Sequence, residues 1–115
     1  MAFHRAHRKF GRKTNQRRAL MKSLAHSLAL KGKIKTTEAK AKELRPFMEK
    51  LVTLGKKETP ASKRLLTSRV GVQAAKKIAA DISQTYKSRS GGYLRITKMV
   101  RRKSDGAQMA VIEFV

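Results

Sequence analysis

The uneven distribution of positive charge constrains this sequence more than any other feature. The first 37 residues contain eleven lysines and arginines and no acidic residue, and Glu38 is the first carboxylate. Over the whole chain, 29 lysines and arginines stand against seven acidic residues, which gives a formal net charge of +22. Such an excess opposes the compaction of an isolated domain through self-repulsion. A polyanion that neutralises these charges would relieve the repulsion and release its own counterions, so the sequence predicts a polyanionic partner.

Two classes of polyanion are compatible with this charge: nucleic acid and an anionic membrane. No apolar run approaches the ~20 residues that a membrane-spanning helix needs. The basic N-terminus also lacks the apolar stretch of a secretory signal. We therefore predict a cytoplasmic protein that binds nucleic acid and has no membrane span. Cysteine is absent, which excludes disulfides, Cys-ligated zinc and thiol catalysis.

The chain is predicted to divide into an arm and one domain. Residues 1–13 lack apolar periodicity, so they cannot bury enough apolar surface to fold alone, and we predict an extended basic arm. Residues 14–115 contain the hydrophobic patterns and are predicted to form a single domain. A chain of 115 residues with an apolar fraction of 40% is sufficient for one buried core.

The first helix is predicted to begin at residue 14 or 15 and to end before Gly32. Leucines recur at every fourth position from Leu20 through Leu24 to Leu28, and we expect them to face the core. Three side chains occupy roughly the opposite side of this helix: Arg18, Lys22 and His26. That side is predicted to face a partner.

A short strand and a second helix follow. Residues 33–37 alternate in polarity and contain β-branched side chains, which predicts a strand. Thr36 and Thr37 then cap a helix that extends to about Leu54. The apolar register continues across Pro46, so we predict one helix. Its predicted apolar stripe comprises Ala41, Leu44, Met48, Leu51 and Val52. A kink is expected near Pro46 because proline lacks an N–H and clashes with the carbonyl four residues earlier.

The remainder of the chain predicts two more helices and a β-hairpin. Residues 60–69 follow a Thr-Pro start signal, and residues 72–86 repeat apolar side chains at helical spacing. Residues 93–100 and 107–115 are rich in β-formers, and the Asp105-Gly106 turn between them predicts a hairpin. Four helices followed by a late hairpin indicate an α+β domain with a small sheet of about three strands.

The arm gives the strongest functional signal in the sequence. It interleaves cations and histidines with Phe3 and Phe10, and such side chains contact phosphates and stack on unpaired bases. The predicted contacts are His4, Arg5, His7, Arg8, Lys9, Arg12 and Lys13 in the arm, and Arg17, Arg18 and Lys22 in the adjoining helix. His4 and His7 also have a spacing found in metal sites. Without cysteine or a nearby carboxylate a zinc ion would lack ligands, so we predict no metal.

Several later residues complete the candidate set. The Gly91-Gly92-Tyr93 segment allows either close approach to a phosphate or simply the turn that enters a strand. Three cations crowd the hairpin tip, where they either contact a phosphate or face solvent. The candidates in this part of the chain are Lys33, Lys35, Gly91, Gly92, Arg95, Arg101, Arg102 and Lys103.

The sequence offers no arrangement that supports catalysis. Its acidic residues are scattered, and neither a GxSxG motif nor a Walker-type glycine loop occurs. Glu113 lies in an apolar strand and is predicted to pair with a cation on a neighbouring strand. We therefore predict no catalytic residue, no cofactor and no enzymatic activity.

Six segments, placed in order and nearly end to end, form a recognisable pattern. They are QRRAL at 16–20, GKIKTT at 32–37, AKELR at 41–45, LVTL at 51–54, GGYLRI at 91–96 and AVIEFV at 110–115. Together they resemble the bacterial large-subunit ribosomal protein family numbered seventeen in its series. The family usually begins Met-Arg-His, and many members have His at the position of Gln16 and Asn at that of Ser23.

The resemblance implies more than the residue patterns do. It implies helices packed on a small mixed sheet, and a basic arm that enters 23S ribosomal RNA near the peptide-exit region. It also implies contacts with neighbouring large-subunit proteins, including the small one numbered thirty-two, and no homo-oligomer. The residue patterns alone leave a histone-like DNA architectural protein as the alternative. Such proteins generally bind as dimers with symmetric arms, whereas this sequence has one arm at one end.

Overall fold

A computed structural model describes residues 14–115 of the protein, and the arm predicted for residues 1–13 lies outside the described residues. Helix α1 spans Thr14–Lys31. Gly32 follows it with a φ of +82°, a left-handed conformation that glycine adopts at the lowest cost. The predicted end of this helix is therefore confirmed, and Thr14, the first described residue, is already helical.

The core-facing side of α1 is rotated slightly from the predicted leucine stripe. Its buried residues are Met21, Ala25, Leu28 and Ala29, while Leu20 and Leu24 are half-buried at the edge of the core. His26, on that opposite side of α1, is half-buried, and its Nδ1 lies 2.8 Å from the carbonyl oxygen of Val70. One ring nitrogen therefore contacts a later helix of the chain, and contact of His26 with a partner stays a prediction.

Strand β1, Lys33–Thr37, leads directly into helix α2, Glu38–Gly55. The side chain of Thr37 caps this helix by accepting a hydrogen bond from the N–H of Lys40 at 3.3 Å. The helix continues through Pro46, as predicted. Its predicted apolar stripe is confirmed, because the following side chains are buried: Ala41, Leu44, Met48, Leu51 and Val52.

Helix α3, Pro60–Val70, begins with a reciprocal cap between Thr59 and Ser62. Gly71, with a φ of +91°, separates it from the fourth helix. Helix α4 comprises Val72–Lys77, a π-helical turn at Ile78–Ile82, and a last turn at Ser83–Thr85. The four predicted helices are thus all present in the described part of the chain. None of the helices there is both long and apolar enough to cross a bilayer.

Strand β2, Leu94–Lys98, and strand β3, Met109–Phe114, form the predicted hairpin. The strand order is β1-β3-β2, with β3 antiparallel to both neighbours. The expectation of a mixed sheet is therefore wrong. Strands β1 and β2 do run in the same direction, but β3 lies between them, so no parallel pair forms.

Candidate nucleic-acid interface

Within residues 14–115, the helices pack on one face of the sheet. Ile34, Ile112 and Ile96 lie side by side across the three strands and belong to the core or pack against it. Because successive side chains on a strand point to opposite faces, their neighbours along each strand lie on the other side. We call that side the open face, and its residues in the two aligned rows are Lys33, Glu113, Arg95, Lys35, Val111 and Thr97.

The open face brings together three predicted site residues: Lys33, Lys35 and Arg95. Glu113 lies between Lys33 and Arg95 in the central strand. Its Oε1 accepts a hydrogen bond from Nε of Arg95 at 3.3 Å, so the predicted cross-strand pair is confirmed. This pair orients the Arg95 guanidinium, yet the side chain stays 57% exposed. Within residues 14–115 the side chains of Lys33 and Lys35 form no ion pair, which leaves their charge for an external partner.

Two of the three cations at the hairpin tip are engaged in the turn itself. Arg102 binds both carboxylate oxygens of Asp105, at 2.9 and 2.7 Å. The hydrogen bond from Arg102, together with one from the N–H of Ala107, lowers the pKa of Asp105 to about 2. Arg101 donates to the carbonyl oxygen of Gly106 at 3.0 Å. The two arginines therefore stabilise the conformation of the tip. Contact of Arg101, Arg102 or exposed Lys103 with a phosphate stays a prediction.

The Gly91-Gly92-Tyr93 segment makes the turn into β2. Gly92 has a φ of +65°, which favours glycine. A Cβ added at Gly91 or Gly92 would meet no atom within 4 Å, so the backbone is open to the outside. Tyr93 is 1% exposed and anchors the end of the turn in the core. Both interpretations of the segment remain compatible with this geometry, and phosphate contact stays a prediction.

A network centred on Lys56 and Tyr93 was missed by the sequence analysis. Nζ of Lys56 donates to the hydroxyl of Tyr93 at 2.6 Å and to the carbonyl oxygen of Arg89. The Tyr93 hydroxyl also donates to that carbonyl at 3.1 Å, and Nζ lies 4.6 Å from the Tyr93 ring centroid. The hydrogen bond from Lys56, and then contact with Thr53, lowers the pKa of Tyr93. Lys56 lies 33 positions before Arg89 and 37 before Tyr93, and Thr53 lies 40 before Tyr93. No local sequence pattern therefore predicts the network.

The predicted site residues form several separate patches. Arg18 and Lys22 are exposed near the start of α1, and Arg17 beside them is half-buried. Lys33 follows the opposite end of that helix, roughly 20 Å away at 1.5 Å per residue. The seven candidates in the arm lie outside the described residues. Within residues 14–115, no group of three or more His, Cys, Asp or Glu side chains is placed to hold a metal ion.

Comparison with known proteins identifies the family. The profile described as Ribosomal protein L17 matches residues 20–115. A protein of Persephonella marina named "Large ribosomal subunit protein bL17" is 54% identical over 109 residues, covering 92% of this chain and 88% of its own. The protein of that name from Gemmatimonas aurantiaca is 46% identical over 116 residues, with 100% and 98% coverage. That from Shouchella clausii is 44% identical over 119 residues, with 96% and 99% coverage. The chain therefore belongs to the bacterial ribosomal protein L17 family.

Proposed function

We propose that this protein is a non-catalytic structural constituent of the large subunit of the cytoplasmic ribosome. In this proposal it binds 23S ribosomal RNA through the basic arm of residues 1–13 and through the basic surfaces of one domain, residues 14–115. The surfaces are the first turns of α1, the open face, the hairpin tip and the turn at Gly91 and Gly92. The relatives are named as large-subunit proteins, which supports the assignment to the large subunit.

The observation that carries the proposal is the excess of uncompensated cations on the folded domain. All seven acidic residues lie within residues 14–115, together with 24 of the 29 lysines and arginines. The ion pairs formed within that part of the chain engage six of these cations. The other 18 cations are spread over all four helices, the open face and the loops. Such a surface suits the phosphate backbone of a large folded RNA, which meets a protein on several sides.

We further propose that the protein contacts neighbouring large-subunit proteins, including the small protein numbered thirty-two in the same series. We expect it to form no homo-oligomer. Membership of the L17 family supports RNA rather than DNA as the partner, because charge alone does not distinguish the two. A histone-like role would instead require a symmetric pair of arms.

Sedimentation of a tagged copy of the full chain tests this function. We expect the tagged chain to co-sediment with large subunits in a gradient that separates the two subunits. Mass spectrometry of the washed large subunits should recover its peptides after a high-salt step that removes loosely bound proteins. In binding assays, transcribed 23S RNA should outcompete duplex DNA at equal phosphate concentration. Recovery only with small subunits, or equal competition by DNA, would contradict the proposal.

A further inference from the structure

The loop between α4 and β2 is fixed from its inner side at one carbonyl group. The carbonyl oxygen of Arg89 accepts hydrogen bonds from both Lys56 Nζ and the Tyr93 hydroxyl. The N–H of Arg89 donates to the carbonyl oxygen of Tyr86 at 3.0 Å, and the N–H of Val115 binds the Tyr93 carbonyl at 2.9 Å. The backbone of this exposed loop is therefore held on both sides of residues 88–92, which we call the anchored loop.

The anchored loop presents hydrogen-bond donors that the domain itself does not use. Among the described residues, no acceptor binds the backbone N–H groups of Ser90, Gly91 and Gly92. These three residues are exposed or half-exposed, and the two glycines have open space where a side chain would stand. The hydroxyls of Ser88 and Ser90 are likewise without a partner within residues 14–115. A fixed backbone with consecutive open donors is a favourable setting for an anion.

The charges around the loop favour the same kind of ligand. Arg89 belongs to the anchored loop and Lys87 directly precedes it; both are exposed, and exposed Lys57 follows the anchoring Lys56. Glu58 is the acidic residue that follows Lys56 and Lys57 in the sequence. Its carboxylate accepts a hydrogen bond from Gln84 at 2.5 Å. The loop has no exposed aromatic side chain on which a base could stack, because Tyr93 is buried. Its donors therefore suit phosphate oxygens better than base edges.

We propose that residues 88–92 form a preorganised phosphate-binding loop for the RNA backbone, with Lys56 and Tyr93 as positioning residues that fix its shape. This inference rests on the proposed function and deepens it. It assigns one specific contact with the RNA backbone and names the two residues that hold the loop in the shape required for that contact. The loop contacts phosphate in the same conformation that it has in the free domain, so little conformational entropy is lost when RNA binds. Recognition at this loop is independent of nucleotide sequence.

Two buried tyrosines of one aromatic cluster provide a matched test. The rings of Tyr86 and Tyr93 lie 5.4 Å apart, and the Tyr86 hydroxyl donates to the carbonyl oxygen of Val115. Tyr93→Phe and Tyr86→Phe each remove one hydroxyl, but only Tyr93→Phe removes a hydrogen bond to the carbonyl oxygen of Arg89. At a temperature at which both variants are folded, Tyr93→Phe should weaken binding to transcribed 23S RNA about threefold to tenfold. Tyr86→Phe should stay within about twofold. Equal affinities for the two variants would overturn the positioning role.

A phosphate titration tests the loop independently of the ribosome. We expect inorganic phosphate to shift the amide signals of Ser90, Gly91 and Gly92 in ¹H–¹⁵N spectra of the full chain. Sodium chloride at matched ionic strength should not produce these shifts, and Tyr93→Phe should reduce them. Absence of a phosphate-specific shift at these amides would overturn the loop assignment. Failure of the wild-type chain to bind 23S RNA would instead contradict the proposed function, so the two failures are distinguishable.

Discussion

The hydroxyl of Ser83 donates a hydrogen bond to the carbonyl oxygen of Val52 at 3.0 Å, across the contact between α4 and α2. Ser83 has no exposed surface, and it immediately follows the π-helical turn Ile78–Ile82. Gly55 allows this contact. A Cβ at that position would overlap the Ser83 hydroxyl oxygen and lie 3.1 Å from Cγ2 of Ile78. Gly55 therefore permits close packing as well as ending α2.

We predict that Gly55→Ala lowers the free energy of unfolding by about 1–2 kcal/mol. Crowding against Ile78 and loss of the Ser83 hydrogen bond are each destabilising. The higher helix propensity of alanine offsets part of that cost. Urea denaturation measures the change. Gly91→Ala is the matched control, because the added methyl group there meets nothing within 4 Å. Equal stabilities of the two variants would show that α2 and α4 do not pack as closely as described.

Substitution of two leucines of the predicted core by alanine should lower the free energy of unfolding by different amounts. Leu51 is 1% exposed, whereas Leu24 is half-buried at the edge of the core. Leu51→Ala should cost about 2–5 kcal/mol, because it removes buried contacts and leaves a cavity. Leu24→Ala should cost less than that, since solvent and neighbouring side chains can fill its site. Thermal or chemical denaturation gives the order, and a larger loss for Leu24→Ala would contradict the described packing of α1.

The hairpin tip should respond to acid through Asp105. Its pKa in the folded protein is about 2, below its ordinary value of 3.8, because Arg102 and the Ala107 N–H stabilise the carboxylate. The folded pKa is the lower one, so the stabilising contribution is present above about pH 4 and is lost as the pH falls toward 2. Titration of the Asp105 carboxyl by NMR measures this pKa. In Arg102→Gln the midpoint should rise toward 3.8, and an unchanged midpoint would rule out the ion pair as its main cause.

Local sequence signals were sufficient to predict most secondary structure. Threonine caps at Thr37 and Thr59, together with glycines at 32 and 71, define helix ends through contacts within a few residues. The Asp105-Gly106 turn likewise predicts the hairpin. The antiparallel order β1-β3-β2 could not be derived in this way, because it depends on β3 pairing with a strand more than 70 residues earlier.

The candidate site was also predictable only in part: its residues could be identified from the sequence, but not all of the contacts that engage them. Composition and clustering identify the cations, and strand alternation accounts for Lys33 and Lys35 lying on one face. The engagement of Arg102 with Asp105 depends on the folded shape of the tip. The contact of Lys56 with Tyr93 joins residues 37 positions apart, so it required the tertiary structure. Contacts in the folded chain, some local and some between distant residues, decide which cations remain unpaired.

The dependence of RNA affinity on salt concentration tests the proposed role of the arm. Each phosphate neutralised by a cation releases condensed counterion, so affinity falls steeply with salt concentration. Changing Arg8, Arg12 and Arg17 together to glutamine keeps polarity and approximate length but removes three charges. Stability should change little, because Arg17 is not among the buried core residues, and Arg8 and Arg12 belong to the arm predicted for residues 1–13. A variant with Lys63, Arg64 and Arg69 changed to glutamine removes the same charge from exposed positions on α3.

The most direct measurement is the slope of log affinity for 23S RNA against log salt concentration in the wild type and both variants. We predict that the slope of the arm variant shrinks by roughly two units, at ~0.7 per phosphate contact in single-stranded stretches. The α3 variant should retain a slope closer to that of the wild type. An unchanged slope in the arm variant would contradict the proposal that the arm is the main anchor, and would assign binding to the open face and loops instead.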